Sequence, residues 1–570
     1  MSDVLTAAQM RSVEMAAIES GEVTGLELME RAGRGVVDAV FGEWPALAKA
    51  PHRAVILCGP GNNGGDGFVV ARLLRDWGWE VEAFLYGDPA RLPPDAKVNY
   101  ERYSGAGGHV HAGLDTVYEN DQALRRFLFE ADLVVDGLFG TGLTRPLGDI
   151  QNDIWRAFDL ETGAIARLVS IDLPSGLCSD SGRVLGMDIH CVTTMSRPPH
   201  ALASNLTVTF HARKLGHVLA DGPVMCGKLV VSSIGLEGSP PPRLGGPPGA
   251  AVAGCPAVTP GDPVRLIDRD VVDQAEKSAT AHKYDHGHAL VLSGGSGKTG
   301  AARLAARGAL RIGAGLVSLA VPPSAQMEVA CQITALMLRR VEGGEGLATL
   351  LEDKRINALC LGPGMGTGER ETALIAAALD MRGFHPPYAG RSVVLDADAL
   401  TLISQDEALF GMLHGRCVLT PHAGEFARLF PDIARRLNAP ATSGPAYSKV
   451  DATREAARRA GCVVLFKGPD TVIASPDGRC SVNSAHYRRA APWLATAGAG
   501  DVLAGFVTGL MARGVDPMKA AETAAWLHVE CALGFGPGLI AEDLPEALPA
   551  VLRALEVRMC RVQSTSRDMP

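Results

Sequence analysis

Oxygen-bearing side chains follow three short apolar runs in the first half of the chain. Asn62, Asn63 and Asp66 follow RAVILC, Asp136 lies in DLVVDG, and Asp172 and Ser175 lie in RLVSIDLPSG. Carboxylate, amide and hydroxyl oxygens are hard ligands, which suit an alkali or alkaline-earth cation and not zinc. Because Pro174 favours an extended backbone before it, we expect the Asp172 carboxylate to point outward. Although an isolated aspartate is more typical of a turn or a cap, the three runs together predict a cation or ligand site.

The glycines after RAVILC have a spacing that is typical of phosphate-binding turns. Gly59, Gly61 and Gly64 form G-x-G-x-x-G before the helical pattern GFVVARLLRDWG. Backbone amides at such a helix start can hold a phosphate, and Glu80 and Glu82 follow at the distance expected of a ribose-binding acid. The pattern predicts a dinucleotide-binding turn, with a tight turn that holds no anion as the alternative.

A second candidate site lies near the end of the chain. In WLATAGAGDVLAGFVTGLMARG, small residues lead into a long amphipathic helix pattern. The amides of Ala499, Gly500 and Asp501 at that helix start form a predicted anion hole, and Asp501 is placed to accept a proton. Lys467 and Gly468 lie between two predicted strands in LFKGPDTVIASPDG. These residues predict phosphoryl transfer, with an ordinary N-cap for Asp501 and a solvated Lys467 as the alternatives.

Two further patterns resemble a Walker-type phosphate loop and a zinc site, but the surrounding residues support neither. The run VLSGGSGKTG contains Gly297-Lys298-Thr299, but a Walker-type phosphate loop also needs a glycine at the position of Leu292. Three histidines lie close together in AHKYDHGH, namely His282, His286 and His288. We interpret them as part of the approach to a strand and not as a zinc site.

The elements that must position these residues follow an α/β pattern, since short apolar runs alternate with amphipathic stretches in both halves. The predicted strands are RAVILC, VEAFLY, DLVVDG and RLVSID in the first half, and HALVLSGG, GLVSLAVP, NALCLGPG, SVVLDADAL, GRCVLTPHAG and VVLFKGPDTVIASPDG in the second. In open α/β sheets, ligands bind at the carboxyl ends of strands, where the candidate residues lie. Residues 237–263 are rich in proline and glycine, so we predict a linker there between a domain at 1–236 and a domain at 264–560.

The composition predicts a soluble, cytoplasmic protein. The 570 residues carry a net charge of −9 without a basic run, which argues against nucleic acid or an acidic membrane as a partner. The 12 cysteines include no Cys-x-x-Cys pair, as expected in a reducing compartment. The N-terminus has acidic residues where a signal peptide would be basic. No run reaches the ~18 apolar residues that a membrane helix needs.

The motifs of the first half resemble those of the NAD(P)H-hydrate epimerase family. GPGNNGGDG, VDGLFGTG and IDLPSG, with LMERAG before them and TVTFHARKLGH after them, cover roughly residues 5–236. The resemblance implies a Rossmann-like, three-layer fold that interconverts the R and S forms of hydrated NAD(P)H. It implies a potassium ion at Asn63, Asp136 and Ser175, with Asp172 as acid and base. The implied substrate contacts are Asn62, Asn63, Gly64, Gly65, Asp66, Gly140, Thr141, Gly142, Leu143, Thr144, Arg145, Pro146 and Asp172.

One connection of the first half departs from the epimerase pattern. Residues 187–206, between Gly186 and TVTF, are longer than the usual connection of the family and contain Pro198-Pro199. These residues could form an ordered insertion, or they could disturb the last strands of the domain. The epimerase activity is therefore a weaker expectation than the fold.

The second half resembles the ribokinase-like dehydratases that repair NAD(P)H hydrate. LCLGPGMG, VLDADAL and LTPHAGEFARL, with the runs around Lys467 and Asp501, extend over roughly residues 270–555. The implied nucleotide ligands are Lys467, Gly468, Pro469, Asp470, Thr471 and Gly500. The implied hydrate contacts are Ala302, Gly366, His422 and Asp501, with Asp501 as the catalytic base. Where the family typically has Gly-Thr-Gly-Asp, this chain has Gly498-Ala499-Gly500-Asp501 and so lacks one hydroxyl.

The resemblance also gives VLSGGSGKTG another interpretation. Gly300-Ala301-Ala302 completes the Gly-Gly-Ser to Gly-Ala-Ala pattern of the dehydratases, and Lys298 and Thr299 then occupy variable positions. The run is therefore expected near the hydrate and not at the nucleotide phosphates.

Together the two resemblances imply a bifunctional repair enzyme. It would epimerise hydrated NADH and NADPH, and it would dehydrate the S form at the expense of ADP, giving AMP and phosphate. The implied cofactors are potassium, magnesium and a phosphoryl donor, ADP or ATP, and a homo-oligomer is expected. The fusion and the Ala-, Gly- and Arg-rich composition favour ADP. The alternative is a small-molecule kinase of the ribokinase superfamily with an N-terminal nucleotide-binding regulatory module.

Overall fold

A computed structural model describes residues 2–112, 124, 126–148, 167–186, 203–236, 263–272, 282–380 and 390–567. The chain divides into two compact units. The N-terminal unit comprises Asp3–Val264 and Leu437–Lys449, and the C-terminal unit comprises Met1–Ser2, Arg265–Arg436 and Val450–Pro570. Residues 237–262 of the predicted linker and 187–202 of the predicted insertion lie outside the described residues.

The N-terminal unit is built on a fully parallel sheet, as predicted. After β1 (Ser2–Val4), its strands are β2 (Arg53–Cys58), β3 (Glu80–Leu85), β4 (His109–Ala112), β5 (Leu133–Gly137), β6 (Leu168–Ile171), β7 (Leu206–Phe210) and β8 (Lys228–Ser232). The sheet order is β4-β3-β2-β5-β6-β7-β8. The chain leaves β2 towards one edge through β3 and β4 and returns to the other side at β5. This reversal is the switch point where α/β sheets bind ligands.

Helices pack against this sheet and cover its faces. They are α1 (Ala7–Glu19), α2 (Gly25–Glu43), α3 (Asn62–Asp76), α4 (Pro94–Gly105) and α5 (Gly222–Met225). The N-terminus of α2 has a reciprocal Thr24–Glu27 capping box. Gly33 allows α2 to approach α3 closely, since a Cβ there would lie 2.4 Å from Val69 Cγ1. On the opposite face of the sheet, Leu124 and Leu128 join a second apolar cluster, which makes the unit three-layered.

A segment from the second half of the chain completes the N-terminal unit. The Gly444 amide donates to the Thr144 carbonyl at 2.9 Å, and the Gly186 amide donates to the Ala441 carbonyl at 2.7 Å. The same segment contributes to a small apolar cluster, whose buried members are Leu143, Leu147, Cys178, Leu185, Ala441 and Ala446. The loop at 140–146 is therefore supported by residues almost 300 positions away along the chain.

The C-terminal unit has a larger mixed sheet. Its strands are β9 (Val264–Leu266), β10 (His288–Leu292), β11 (Leu316–Val321), β12 (Met337–Arg340), β13 (Ile356–Leu361), β14 (Ser392–Leu395), β15 (Cys417–Leu419), β16 (Val463–Phe466), β17 (Asp470–Ala474) and β18 (Cys480–Ser484). Their order is β9-β18-β17-β16-β15-β14-β13-β10-β11-β12, parallel from β16 to β12, with β17 antiparallel to both of its neighbours. All six predicted strand segments are confirmed, but β9, β12 and β18 were not predicted, and the end of SVVLDADAL already belongs to a helix.

The helices of this unit are α6 (Gly300–Arg311), α7 (Gln326–Ala330), α8 (Gly344–Leu350), α9 (Glu369–Leu379), α10 (Ala397–Gln405), α11 (Glu407–Gly411), α12 (Ala423–Leu429), α13 (Pro431–Asn438), α14 (Lys449–Ala460), α15 (Ala499–Ala512), α16 (Pro517–Phe535) and α17 (Asp543–Arg567). Nearly every residue of α15 is buried, as expected of a helix that is apolar all round. Gly505 allows α15 to approach α6, since a Cβ there would lie 2.1 Å from the Ala305 carbonyl oxygen. This packing fixes the N-terminus of α15, where Asp501 lies.

The predicted α/β fold class is confirmed for both units. Among the described helices, none combines the length and the apolar character that crossing a bilayer requires.

Candidate active sites

In the N-terminal unit, the carboxyl end of β5 carries a fully buried carboxylate, Asp136. It accepts hydrogen bonds from the hydroxyl and amide of Ser175 at 2.6 and 2.8 Å and from the Ser170 hydroxyl at 3.1 Å. Burial raises the pKa of Asp136, although these hydrogen bonds act in the opposite direction. Within the described residues, no basic side chain lies close enough to affect it. A buried carboxylate without a cationic partner is costly, so the oxygens around Asp136 fit a bound cation.

Asn63, the third predicted potassium ligand, lies beside Asp172. A Cβ placed on Gly140 would lie 2.9 Å from Asn63 Oδ1 and 3.1 Å from Asp172 Oδ2, so only glycine leaves both groups this close. The Asn63 Nδ2 is buried, and no described residue gives it a hydrogen-bond partner. Buried polar groups are normally paired, so this amide fits a bound ligand.

Asp172 follows β6 in an unusual backbone conformation, with φ at 65°. Residues other than glycine rarely adopt this region, and such strain is frequent at functional sites. One carboxylate oxygen accepts from Thr209 Oγ1 at 2.9 Å and lies 3.0 Å from Lys214 Nζ. The other accepts from the Thr141 amide at 3.2 Å. The structure therefore brings β6, β7 and the loop at 140–146 together at one carboxylate.

The environment of Asp172 keeps it ionised. Burial by itself raises the pKa of this carboxyl, but the charge of Lys214, the nearby His217 and the hydrogen bonds outweigh burial and lower the pKa below its ordinary value. The Lys214 side chain is almost completely buried and donates to Thr209 Oγ1 and to the Phe210 carbonyl at 2.9 and 3.0 Å. At neutral pH, Asp172 is therefore equipped to accept a proton.

His217 holds the backbone of Asp172 in place. Its Nδ1 accepts from the Lys214 amide at 2.9 Å, so the other ring nitrogen, Nε2, carries the hydrogen and donates to the Asp172 carbonyl at 2.8 Å. Burial and the charge of Lys214 lower the pKa of His217 to about 4, so its ring is neutral at physiological pH. Sequence reasoning assigned no role to Thr209, Lys214 or His217, although all three lie in the motif TVTFHARKLGH.

A second carboxyl near Asp172 is shifted in the opposite direction. Burial and the charges of Asp172 and Glu14 raise the pKa of Asp66 well above its ordinary value. Asp66 lies just after the first turn of α3, because the predicted contacts at 62–66 form the start of that helix. Two carboxyls whose environments push their pKa values apart are the usual signature of an acid and a base in one site.

The glycines of this helix start permit close packing. A Cβ at Gly64 would lie 2.0 Å from the Gly59 carbonyl oxygen, and one at Gly65 would lie 2.6 Å from Met29 Sδ. In the loop at 140–146, Leu143 is buried, whereas the exposed members are Gly142, Thr144 and Arg145. The loop thus presents polar groups and one guanidinium to solvent, and its Thr141 amide reaches Asp172.

In the C-terminal unit, Asp501 lies in the first turn of α15. The helix follows Gly498, whose φ of 89° favours glycine. Burial, followed by the charge of Asp396, raises the pKa of Asp501 to about 6. A carboxylate with this pKa can both accept and release a proton near neutral pH.

A cluster of carboxylates surrounds Lys467 next to Asp501. Lys467 Nζ lies 2.7 Å from Asp396 Oδ1 and 3.7 Å from Glu425 Oε2. Burial opposes the charged form of this lysine, but the two carboxylates outweigh it and raise the pKa of Lys467. A Cβ on Gly500 would lie 3.4 Å from Nζ, so the ammonium group lies beside the predicted anion hole. Lys467 is therefore not the solvated side chain of the alternative interpretation.

Asp396, Glu425 and Asp501 act electrostatically on Lys467, and Asp398 acts on Asp501. Their excess negative charge would attract a divalent cation that accompanies a nucleotide, although within the described residues no three of these carboxylates offer ligand atoms that meet at one point. Sequence reasoning did not assign Asp396, Asp398 or Glu425 a role. The signal was nevertheless present, because all three lie in the quoted motifs VLDADAL and LTPHAGEFARL.

The predicted hydrate contacts Gly366 and His422 lie next to these carboxylates. The Gly366 amide donates to Asp398 Oδ2 at 2.8 Å. His422 caps α12, since its Nδ1 accepts from the Gly424 amide at 3.0 Å, and its Nε2 lies 3.4 Å from Glu425 Oε1. The His422 side chain is more than half exposed and free to meet a ligand on its outer face.

The structure places the predicted hydrate contact Ala302 inside the unit. Its side chain is completely buried in the core, so a contact with a ligand could come only from its backbone. Ala301 is only partly buried and lies against Gly364, where a Cβ would be 3.3 Å from its own Cβ. Because the helix start at 300 turns Ala302 inward, Ala301 is the alanine of this motif that faces the neighbouring glycine turn.

The Walker-like run is occupied by an anion of the protein itself. Glu328 accepts hydrogen bonds from Ser296 Oγ, the Gly297 amide and Thr299 Oγ1 at 2.9, 2.7 and 2.5 Å. The hydrogen bond from Thr299, followed by those from Gly297 and Ser296, lowers the pKa of Glu328. These donors hold a carboxylate where a phosphate loop would hold phosphate, so the structure agrees with the argument against a Walker-type site.

A cavity of about 530 Å³ opens beside Lys467 and Gly500. Gly468, Pro469 and Thr471 also line it, together with an apolar wall that includes Ala491, Pro492, Leu494, Leu503 and Val529. Asp470 is not among the lining residues, because it begins β17, where it pairs with Ser484. The cavity has a charged end and an apolar end, as a nucleotide requires.

Two other groups of residues do not join these sites. The His288 Nε2 pairs with Ser318 Oγ at 2.9 Å inside the core, and among the described residues the three histidines at 282–288 form no metal-ligating group. Glu80 pairs with Arg53 at 2.7 Å, and Glu82 lies between two histidines of β4. The ribose-binding role considered for these glutamates is therefore not supported.

Sequence comparisons match each half of the chain separately. The family model described as NAD(P)H-hydrate dehydratase matches residues 289–545, and the one described as YjeF-related protein N-terminus matches residues 25–216. The NAD(P)H-hydrate epimerase of Roseobacter litoralis is 43% identical in an alignment of 252 residues, which covers 41% of this chain and 100% of that protein.

Other relatives match nearly the whole chain. The bifunctional NAD(P)H-hydrate repair enzyme Nnr of Moorella thermoacetica is 34% identical over 575 residues, with 97% of each chain covered. A solved structure of the ADP/ATP-dependent NAD(P)H-hydrate dehydratase of Bacillus subtilis, co-crystallised with ATP and Mg2+, is 28% identical and covers 49% of this chain and 94% of that one, with a TM-score of 0.40. The full-length matches confirm both predicted resemblances and favour them over a kinase with a regulatory module.

Proposed function

This chain belongs to the family of bifunctional NAD(P)H-hydrate repair enzymes, and we propose that each of its units carries one of the two activities. The N-terminal unit, with residues 1–236, interconverts the R and S forms of hydrated NADH and NADPH. The C-terminal unit, with residues 264–560, converts the S form to NAD(P)H while it consumes ADP or ATP. With ADP as the donor, the other products are AMP and phosphate.

In the epimerase site, Asp66 and Asp172 share the proton transfers. Asp66, whose pKa is raised by burial and neighbouring charge, donates a proton to the hydroxyl of the hydrated carbon, and the carbon–oxygen bond breaks to release water. Asp172, whose pKa is lowered by Lys214 in spite of burial, accepts a proton from the water that adds to the other face. This arrangement divides between two carboxyls the acid and base roles that the family resemblance assigned to Asp172 alone.

The other predicted residues of the N-terminal unit bind and orient the substrate. The loop at 140–146 reaches Asp172 through its Thr141 amide, and Asn63 at the start of α3 lies beside the same carboxylate. Arg145 supplies a positive charge for a phosphate of the dinucleotide. Asn63, Asp136 and Ser175 would hold potassium, since Asp136 is buried without a described cationic partner. The ion would supply a fixed positive charge that orders the turns around the substrate.

In the dehydratase site, Asp501 accepts the proton of the hydrate's hydroxyl while the hydroxyl oxygen attacks the terminal phosphorus of the nucleotide. The bond between that phosphorus and its bridging oxygen breaks, and the shortened nucleotide leaves with this oxygen. The amides of Ala499 and Gly500 and the ammonium of Lys467 stabilise the charge on the phosphoryl oxygens. Loss of a proton from the neighbouring carbon then expels phosphate and restores the dihydronicotinamide. The negative charge of Asp396, Asp398 and Glu425 would attract magnesium that arrives with the nucleotide, and this ion would supply positive charge to the phosphates when it is bound.

The observation that carries the dehydratase proposal is the position of Lys467. It lies between the carboxylate cluster and the 530 Å³ cavity, which has Gly500 at the same end. Gly468, Pro469 and Thr471 then hold the nucleotide, Gly366 and His422 contact the hydrate, and Ala301 takes the place predicted for Ala302. We propose that Asp470 contacts the nucleotide through its backbone.

We further propose that the enzyme is a cytoplasmic homo-oligomer that uses small molecules as its partners. The nine cysteines whose side chains the structure describes form no disulfide, and eight of them are buried, as expected in a reducing compartment. Sedimentation velocity at several concentrations measures the oligomeric state, and a single species of monomer mass contradicts it.

The test of the function follows NADH absorbance after a mixed R/S NADHX preparation is given to the enzyme with ADP or with ATP. Full recovery of NADH and release of inorganic phosphate are expected. Recovery that stops at the S fraction contradicts the epimerase activity. A stable phosphorylated product, or no recovery with either nucleotide, contradicts the dehydratase activity.

A further inference from the structure

Three side chains on two neighbouring strands converge at the edge of the N-terminal sheet. Glu82 on β3 pairs with His109 on β4, and His111 follows two residues later, on the same face of the strand. Glu82 Oε2 lies 2.7 Å from His111 Nε2 and 3.0 Å from His109 Nδ1, and the two ring nitrogens are 3.0 Å apart. Three potential ligand atoms thus form a nearly equilateral triangle.

The size of this triangle matches one face of a metal coordination sphere. Ligands of a tetrahedral zinc ion at ~2.0–2.1 Å lie about 3.3 Å from one another. The three atoms therefore need to move apart by only a few tenths of an ångström to surround one ion. Within the described residues, this is the one group of three such ligands that meets at a common point.

The core of the unit orients His111 without a metal. Its ring stacks on Phe84 with 4.4 Å between the centroids and 13° between the planes, and it also contacts Phe127. Phe84 is buried and is the strand partner of His111. Glu82 and His111 are about one-fifth exposed and His109 about two-thirds exposed, so an ion can enter from solvent.

We propose that Glu82, His109 and His111 bind one divalent transition-metal ion, with solvent water completing its coordination. Two imidazoles and one carboxylate are ligands that suit zinc and its neighbours and not magnesium or potassium. None of these residues contacts Asp172. The ion joins β3 to β4 and stabilises the folded N-terminal unit, because it binds the native strand pair and not the unfolded chain.

The test uses the full-length protein after treatment with EDTA and removal of the chelator. Zn2+ is titrated in competition with a chromophoric chelator, and the melting temperature is measured with and without one equivalent of Zn2+. We expect one site in the wild type and a rise in melting temperature. His109→Ala removes the most exposed ligand, and Glu82→Gln removes one charge with almost no change in shape. Each should lower the affinity at least about ten-fold and abolish the rise.

His282→Ala is the matched control, because His282 is an exposed histidine that belongs to no group of three metal ligands among the described residues. This variant should bind Zn2+ as the wild type does. Co2+ provides a second readout, since the visible absorption of the bound ion reports nitrogen and oxygen ligands and should disappear in His109→Ala. Equal binding by the wild type, His109→Ala and Glu82→Gln, or no binding by the wild type, would overturn the proposal.

Discussion

In the N-terminal site, the buried Lys214 lies 3.0 Å from Asp172, the aspartate that we propose as a base. In the C-terminal site, the partly buried Lys467 lies instead 2.7 Å from Asp396 and 3.7 Å from Glu425. Its charge lowers the pKa of Asp501 by less than burial and Asp396 raise it. Both sites thus place a lysine and an aspartate at the ends of parallel strands. The two sites differ in whether the lysine pairs with the proposed base, as in the N-terminal site, or with another carboxylate, as in the C-terminal site.

This difference determines how far burial controls each base. Burial raises the pKa of a carboxyl, and an adjacent ammonium group lowers it. Direct contact with Lys214 outweighs burial, and the pKa of Asp172 is lowered. Asp501 lacks such a contact, and burial together with Asp396 raises its pKa to about 6. A lysine near a catalytic aspartate therefore indicates the direction of the pKa shift only when its other partners are known.

The strongest test of the comparison removes each base in turn. Asp501→Asn should lower the rate of NADH formation from S-NADHX by about 10²–10⁴-fold, which is the usual contribution of a general base. Asp172→Asn should lower R/S interconversion to a similar extent, while dehydration of purified S-NADHX continues. Chromatographic separation of the epimers and NADH absorbance measure the two activities independently.

Asp477→Asn serves as the control for both variants, because Asp477 lies on an exposed hairpin of the C-terminal unit. It should leave both rates unchanged. If Asp172→Asn slows dehydration of pure S-NADHX as much as Asp501→Asn does, the assignment of one activity to each unit is wrong.

The two activities should also separate with pH. Asp501 must be ionised to accept a proton, so dehydration should fall as the pH drops through about 6, the pKa of Asp501. At pH 5 the rate should be about ten-fold below its plateau. Epimerisation should persist at pH 5, because the pKa of Asp172 is lowered and that of Asp66 is raised. Initial rates at saturating substrate between pH 5 and pH 8 measure both profiles. If both rates fall in parallel as the pH is lowered, the pKa values of Asp172 and Asp501 do not differ in the predicted direction.

Much of this arrangement was predictable from the order of short motifs. The strand ends, the glycine turns and the aspartates at 136, 172 and 501 follow from local patterns, since a parallel sheet brings successive strand ends to one edge. The fold class of both units followed for the same reason.

The charged residues that pair with those aspartates were harder to predict from the sequence. Lys214 lies 42 positions after Asp172, and Asp396 lies 71 positions before Lys467, so only the folded sheet shows which charges meet. Ala302 illustrates a local failure, because the motif gave its position in the pocket region but not the direction in which the helix turns its side chain. The support of the 140–146 loop by residues 437–449 has no signal in the sequence at all.

That support gives a smaller test, specific to the N-terminal site. A Cβ at Gly444 would lie 2.6 Å from the Leu143 carbonyl oxygen, so Gly444→Ala should displace the loop at 140–146. We expect a roughly five- to ten-fold loss in kcat/KM for epimerisation, because small misplacements of substrate-positioning groups are costly. Dehydration should not change. Gly411→Ala, where a Cβ meets nothing within 4 Å, is the control. Unaltered epimerisation in Gly444→Ala would mean that this segment does not position the loop.

The smallest effect is expected where the sequence most resembles a nucleotide site. Lys298 is exposed, and the donors around it already hold the Glu328 carboxylate. Lys298→Ala should therefore keep the dehydration rate and the KM for ADP within about two-fold, as is usual for an exposed side chain outside the site. Lys467→Ala should instead raise that KM strongly, because it removes the ammonium beside Gly500. Steady-state kinetics with varied ADP distinguish the two lysines. A complete loss of turnover in Lys298→Ala, with Lys467→Ala still active, would show that VLSGGSGKTG binds the nucleotide phosphates. Lys467 would then not be the counterpart of Lys214 in the second site.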